Sequence, residues 1–144
     1  MTGSSPSTAE KRRFSVLLVE DNPADANLVE EALFEAKVDC GLEVVADGSR
    51  AIDYIRTVER GDVPVPDLVL LDLNLPRISG EQVLERLRAS HACARVKVLI
   101  VTSSNAPMDR QRVMQLGATD YFRKPSTLEQ FLELGPRVRE LLES

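Results

Sequence analysis

Asp67-Leu68-Val69-Leu70-Leu71-Asp72-Leu73-Asn74-Leu75-Pro76 is an apolar run that delivers one carboxylate, Asp72, just ahead of a proline-bearing turn. A Leu/Val run without polar alternation fits a strand buried on both faces, as in a parallel sheet covered by helices. Open sheets of that kind bind ligands beyond the carboxyl ends of their strands. Asp72 is therefore expected where the chemistry takes place.

The same punctuation recurs on both sides of this stretch. Phe14 to Val19 reads as a first strand ending in Glu20-Asp21, and Asn22-Pro23 supplies an N-cap and first helical residue for Leu28, Val29, Ala32, Leu33 and Ala36 at helical spacing. Leu42 to Ala46 reads as the second strand, and Asp47-Gly48-Ser49 turns it into a helix carrying Ala51, Ile52 and Ile55. Ser79 with Gln82 forms a capping box for a helix through Val83, Leu84 and Leu87. Val96 to Val101 is a fourth strand ending in Thr102-Ser103-Ser104, followed by a helix from about Pro107 to Leu116 that Gly117 stops. Thr119 to Phe122 is a fifth strand, closed by Arg123-Lys124-Pro125, and Ser126 with Glu129 predicts a cap for a last helix through Leu128, Phe131 and Leu132. Gly135-Pro136 predicts a kink or break in that helix, because proline has no amide donor and clashes with the carbonyl of Leu132. Strands alternating with helices argue for an α/β fold: a doubly wound, five-stranded parallel sheet with right-handed crossovers.

Composition narrows the function. A formal charge of −5, with no basic cluster beyond Lys11-Arg12-Arg13, argues against a nucleic-acid surface. Cys40 and Cys93 have neither metal-ligand spacing nor a disulfide framework, and His91 is the only histidine. No stretch approaches the ~20 apolar residues of a membrane span, and residues 1–13 lack the apolar core of a signal peptide. They are read as a disordered tail ahead of one domain over residues 14–144, in a soluble, cytoplasmic protein.

Parallel strands finish on one edge, so Glu20, Asp21, Asp72, Thr102 and Lys124 are expected on one rim. Three close carboxylates repel one another unless a cation joins them, and an all-oxygen set suits Mg²⁺. A metal alone has no need of the threonine and lysine, whereas a phosphoryl group has: its oxygens need neutralisation from several directions. Asp72 is then the nucleophile that accepts it as an acyl phosphate.

An acidic pair after strand one, an aspartate after strand three, Thr/Ser after strand four and Lys-Pro after strand five resemble the receiver domain of two-component response regulators. The likeness runs from Phe14 to about Leu142. The stretches Val19-Glu20-Asp21-Asn22-Pro23-Ala24-Asp25 and Leu71-Asp72-Leu73-Asn74-Leu75-Pro76-Arg77 are most similar to stand-alone regulators that partner phytochrome-type histidine kinases. The resemblance implies a flavodoxin-like (βα)5 fold, Asp72 as phosphoacceptor, and a Mg²⁺ site of Glu20, Asp21, Asp72 and the Asn74 backbone carbonyl. It further implies Thr102 as switch hydroxyl, Lys124 as phosphate partner, Tyr121 as switch aromatic and a cis bond before Pro125. Glu20 stands where many receivers have Asp, and reaches the metal directly or through water.

Two other readings compete. A Mg²⁺-dependent phosphohydrolase generally needs a second acid two residues after its nucleophile, where this chain has Asn74; a docking module that has lost phosphorylation has no use for a complete acidic site. No activity beyond self-phosphorylation and self-dephosphorylation is expected, and output is expected through protein contact. Leu134, Val138, Leu141 and Leu142 widen the apolar face of the last helix, which predicts a homodimer through helix four, strand five and helix five.

Overall fold

The computed structural model describes residues 13–144, so the predicted tail lies outside the described residues except for Arg13. The strands are β1 (Phe14–Val19), β2 (Cys40–Val45), β3 (Leu68–Leu71), β4 (Lys97–Thr102) and β5 (Asp120–Arg123). The helices are α1 (Pro23–Glu35), α2 (Gly48–Glu59), α3 (Gly80–Ala89), α4 (Pro107–Gln115), α5 (Leu128–Phe131) and α6 (Leu134–Glu143). All strand pairs are parallel, in the order β2-β1-β3-β4-β5.

Successive strand side chains point to opposite faces, and two cores result. Leu17, Val19, Val69, Leu71, Val98 and Ile100 pack with α2, α3 and Val113 of α4. Val16, Leu18, Leu68, Leu70, Leu99 and Val101 pack with α1, α5 and α6. Every residue of β3 is fully buried, which explains its lack of polar alternation: each such side chain taken from water contributes about 2 kcal/mol.

The helix starts follow local chemistry. Asn22 Oδ1 accepts from the Ala24 and Asp25 amides at 2.9 and 3.3 Å, Asp47 Oδ1 from the Arg50 amide at 2.8 Å, and Ser79 with Gln82 forms both halves of the capping box. Gly117 takes φ +105° behind α4, the left-handed geometry that ends a helix. Several boundaries differ from expectation: β4 and β5 each lie one residue further along the chain, at Lys97–Thr102 and Asp120–Arg123. Edge strand β2 begins at Cys40 rather than Leu42, because the neighbouring β1 pairs Phe14 with Cys40 and Ser15 with Gly41. The last cap is Thr127, whose Oγ1 accepts from the Gln130 amide at 3.2 Å, in place of Ser126.

The break expected near Gly135-Pro136 lies at Leu132-Glu133, between α5 and α6. Pro136 becomes the third residue of α6, where its missing donor costs little. The break turns α6 back onto α1. A Cβ on Gly135 would stand 2.6 Å from Ala36 Cβ and closer still to the Ala32 carbonyl oxygen, so only glycine admits this approach. The wide exposed apolar face predicted for the last helix is thereby corrected: Leu134 and Val138 are buried, and Leu141 and Leu142 pack against the α1-side core. Lys97 Nζ donates to the Leu141 carbonyl at 2.6 Å and ties the end of α6 to the start of β4.

Candidate functional site

The sheet order reverses direction between β1 and β3, since the chain leaves β1 for β2 on one side and returns to β3 on the other. Loops after β1 and β3 therefore part to opposite faces and leave a crevice at their carboxyl ends. Val19 pairs with Leu71, so β1 and β3 end level, while β4 continues two residues past Ile100, the partner of Leu71, to Thr102, and the residues at these ends converge.

Glu20, Asp21 and Asp72 bring carboxylate oxygens within 4.8 Å of one another. Glu20 and Asp72 are buried, while Asp21 faces solvent. Lys124 reaches over the crevice from the end of β5, with Nζ 2.7 Å from Glu20 Oε1, 2.8 Å from Asp25 Oδ2 and 3.2 Å from Asp72 Oδ2. The Asn74 amide donates to Asp72 Oδ1 at 3.1 Å, and the Asn22 amide to Glu20 Oε2 at 3.2 Å. Asp72 is thus oriented by one backbone donor and one ammonium.

Burial is the largest influence on Glu20 and pushes its carboxyl up to about 7, against the pull of Lys124. Burial opposes the Lys124 ammonium too, but its bonds to Asp25 and Glu20 and the charge of Asp72 outweigh it and raise its pKa above the ordinary lysine value. Lys124 thus remains a cation through the physiological range. The donor set is hard oxygen throughout, the chemistry that takes a hard divalent cation as a further neutralising charge beside Lys124.

Thr102 is fully buried, and its Oγ1 accepts from Asn74 Nδ2 at 3.3 Å and from the Ser104 amide at 3.4 Å. The Tyr121 ring is buried, its hydroxyl donates to the Ser104 carbonyl at 2.9 Å, and Arg110 of α4 lies 5.4 Å from the ring centroid. Hydrogen bonds therefore connect Asp72 through Asn74, Thr102 and Ser104 to Tyr121 beside α4.

The rim thus brings together Glu20, Asp21, Asp72 and Lys124, with Asn74 and Thr102 beside them, while Tyr121 joins them only through Ser104. One geometric expectation fails: the Lys124-Pro125 bond is trans, as are all peptide bonds among the described residues. The trans form is favoured by about 0.5–1 kcal/mol before proline. It also suffices here, because the Lys124 amide continues the strand pairing onto the Thr102 carbonyl at 2.7 Å while the side chain reaches the acids. Asp25, which is not among the groups the sequence places on the rim, also binds Lys124. Its signal was its place in the first turn of α1, directly behind the acidic pair.

A family profile for the response regulator receiver domain matches residues 16–134. The chain is 33% identical over 127 residues to the probable methanogenesis regulatory protein FilR2 of Methanothrix harundinacea, covering 88% of this chain and 82% of that one. It is 32% identical over 120 residues to the response regulator Rcp1 of Synechocystis sp., covering 83% and 82%. Among solved structures, that of the phosphorylated cyanobacterial phytochrome response regulator RcpA superposes with a TM-score of 0.83 at 32% identity, over 92% of this chain and 96% of that one. The Mn(2+)-bound form of Rcp1 superposes with a TM-score of 0.79 at 30% identity, over 88% and 92%.

Proposed function

This chain belongs to the response regulator receiver domain family, and we propose that it receives a phosphoryl group on Asp72 from a sensor histidine kinase and signals by protein contact. The observation that carries the reading is the Asp72 carboxylate, buried at the switch point between an acidic pair and Lys124. An Asp72 oxygen forms the new bond to phosphorus as the bond from phosphorus to the donor breaks, the electron pair leaving with the donor. In this reading Lys124, 3.2 Å from Asp72 Oδ2, and the Thr102 hydroxyl meet the phosphoryl oxygens. The kinase is of the phytochrome type, in keeping with the likeness to RcpA, and the encounter is cytoplasmic. Among the described residues no helix is long and apolar enough to cross a membrane.

Glu20, Asp21, Asp72 and the Asn74 backbone carbonyl hold Mg²⁺ in this reading; when bound, the ion neutralises charge on the phosphoryl oxygens. Its binding is expected to depend on pH. The raised Glu20 carboxyl holds a proton that the unfolded chain loses near 4.5, so this group's contribution to metal-free stability is full below 4.5 and is lost as pH rises through about 7. Mg²⁺ needs the ionised form, so its affinity runs the opposite way and should increase about tenfold between about pH 6 and about pH 8. Asp21→Asn should lower it at both. Calorimetric titration checks this; a pH-independent affinity shows that Glu20 holds no proton that the ion must displace.

Incubation with Mg²⁺ and acetyl phosphate, followed by intact-mass measurement, tests the whole reading. A gain of one phosphoryl group on Asp72 supports it, sustained phosphate release with no modified protein points to a hydrolase, and no change points to a docking module.

The phosphoryl group acts by drawing Thr102 toward it and shifting Tyr121 and α4. The response is self-association across α4, β5 and α5, where Met108 and Leu128 are exposed. Phosphorylated wild type should sediment as a dimer and phosphorylated Thr102→Ala as a monomer. Equal masses for the two sink the coupling role of Thr102, and a monomeric wild type sinks the pairing.

A further inference from the structure

We propose that Asp25 is a positioning residue for Lys124, holding the ammonium partly away from Asp72 and so slowing phosphoryl uptake. The inference rests on the phosphoacceptor reading and deepens it.

An ammonium has three N–H donors, and Lys124 faces three carboxylates with them. The bonds to Glu20 and Asp25 are 2.7 and 2.8 Å, while that to Asp72 is 3.2 Å, the longest. Lys124 is therefore placed nearer to two acids that take no part in the new bond than to the one that does. A phosphoryl group on Asp72 brings oxygens that need a cationic donor, and the ammonium has to release a partner to serve them. The exposures of the three side chains identify which: Glu20 is 1% exposed and Asp72 6%, but Asp25 is 27%. Water can replace Lys124 at Asp25 and has little room to do so at the others.

Asp25 also belongs to a different element from Asp72. It sits in the first turn of α1, fixed by the Asn22 cap, so modification of Asp72 leaves its carboxylate at the rim. Its charge acts on the site in two ways: it draws Lys124 toward α1, and it repels an anionic donor approaching the crevice. The reacting bonds are those already described: the oxygen of Asp72 bonds to phosphorus, and the electron pair of the broken phosphorus–oxygen bond leaves with acetate when acetyl phosphate is the donor.

Asp25→Asn removes this charge with little change of shape, and the partly exposed position lets water replace the lost bond. Phosphorylation followed by intact mass against time and acetyl phosphate concentration, with Mg²⁺ present, should be about three- to tenfold faster at low donor concentration. The gain should lie mainly in the apparent KM, with the thermal midpoint unchanged. Asp25→Ser should accelerate in the same way, and Asp25→Glu should restore the wild-type rate. Variants as slow as wild type, or slower, overturn the role of Asp25 while leaving Asp72 as acceptor. A wild type that gains no phosphoryl group refutes the phosphoacceptor reading, and this inference with it.

Discussion

Asp72→Asn is expected to take up no phosphoryl group, from a histidine kinase or from acetyl phosphate, and to keep its fold. The amide is nearly the same shape, and its oxygen can still accept from the Asn74 amide, as Asp72 Oδ1 does at 3.1 Å. Its nitrogen then faces Lys124, where Oδ2 stood at 3.2 Å, so an acceptor is replaced by a donor. A carboxamide has no anionic oxygen to attack phosphorus, and the rate should fall by more than about a hundredfold. Stability should not fall with it. The substitution removes one of the negative charges crowded within 4.8 Å, so the thermal midpoint should stay level or rise. Intact mass and a melting curve read the two halves separately. Labelling at the wild-type rate removes Asp72 as the acceptor; loss of folding shows that the carboxylate is structural.

The second large effect is expected at Gly80, a residue with no chemistry of its own. It opens α3 directly over the turn that carries Asp72, and a Cβ there would stand 2.7 Å from Leu73 Cα and closer still to the Asp72 carbonyl oxygen. Both are backbone atoms of the turn leaving the central strand, so neither can swing aside as a side-chain tip can. Gly80→Ala therefore has to push α3 off the sheet or displace the turn. The overpacking should cost about 3 kcal/mol, or roughly 10 °C in thermal midpoint for a chain of this size. Because the turn also carries the Asn74 amide that orients Asp72, phosphorylation should slow even where the variant is folded. A variant with the wild-type midpoint and rate shows that α3 can move away freely.

The carboxylates of the rim were legible because each follows a strand, and a strand's end is announced locally. Leu68 to Leu71 and Val98 to Val101 are apolar without interruption because both faces of the sheet are covered, so the polar residue that ends each run stands out. The same logic found Glu20, Asp21, Thr102 and Lys124. It worked less well at β2, an edge strand with one open side, where the burial that writes the pattern is missing.

Sequence by itself determined the order of elements, the helix caps at Asn22, Asp47 and Ser79 and the set of groups on the rim, because these follow from burial periodicity and from hydrogen bonds spanning a few residues. Only the tertiary structure decided which groups touch. The bond from Lys124 to Asp25 joins residues 99 positions apart, and Gly135 is needed only because α6 packs onto α1 at Ala32 and Ala36. It also decided that Leu141 and Leu142 join the core rather than an exposed face, since a helix pattern records how wide an apolar stripe is but not which neighbour covers it.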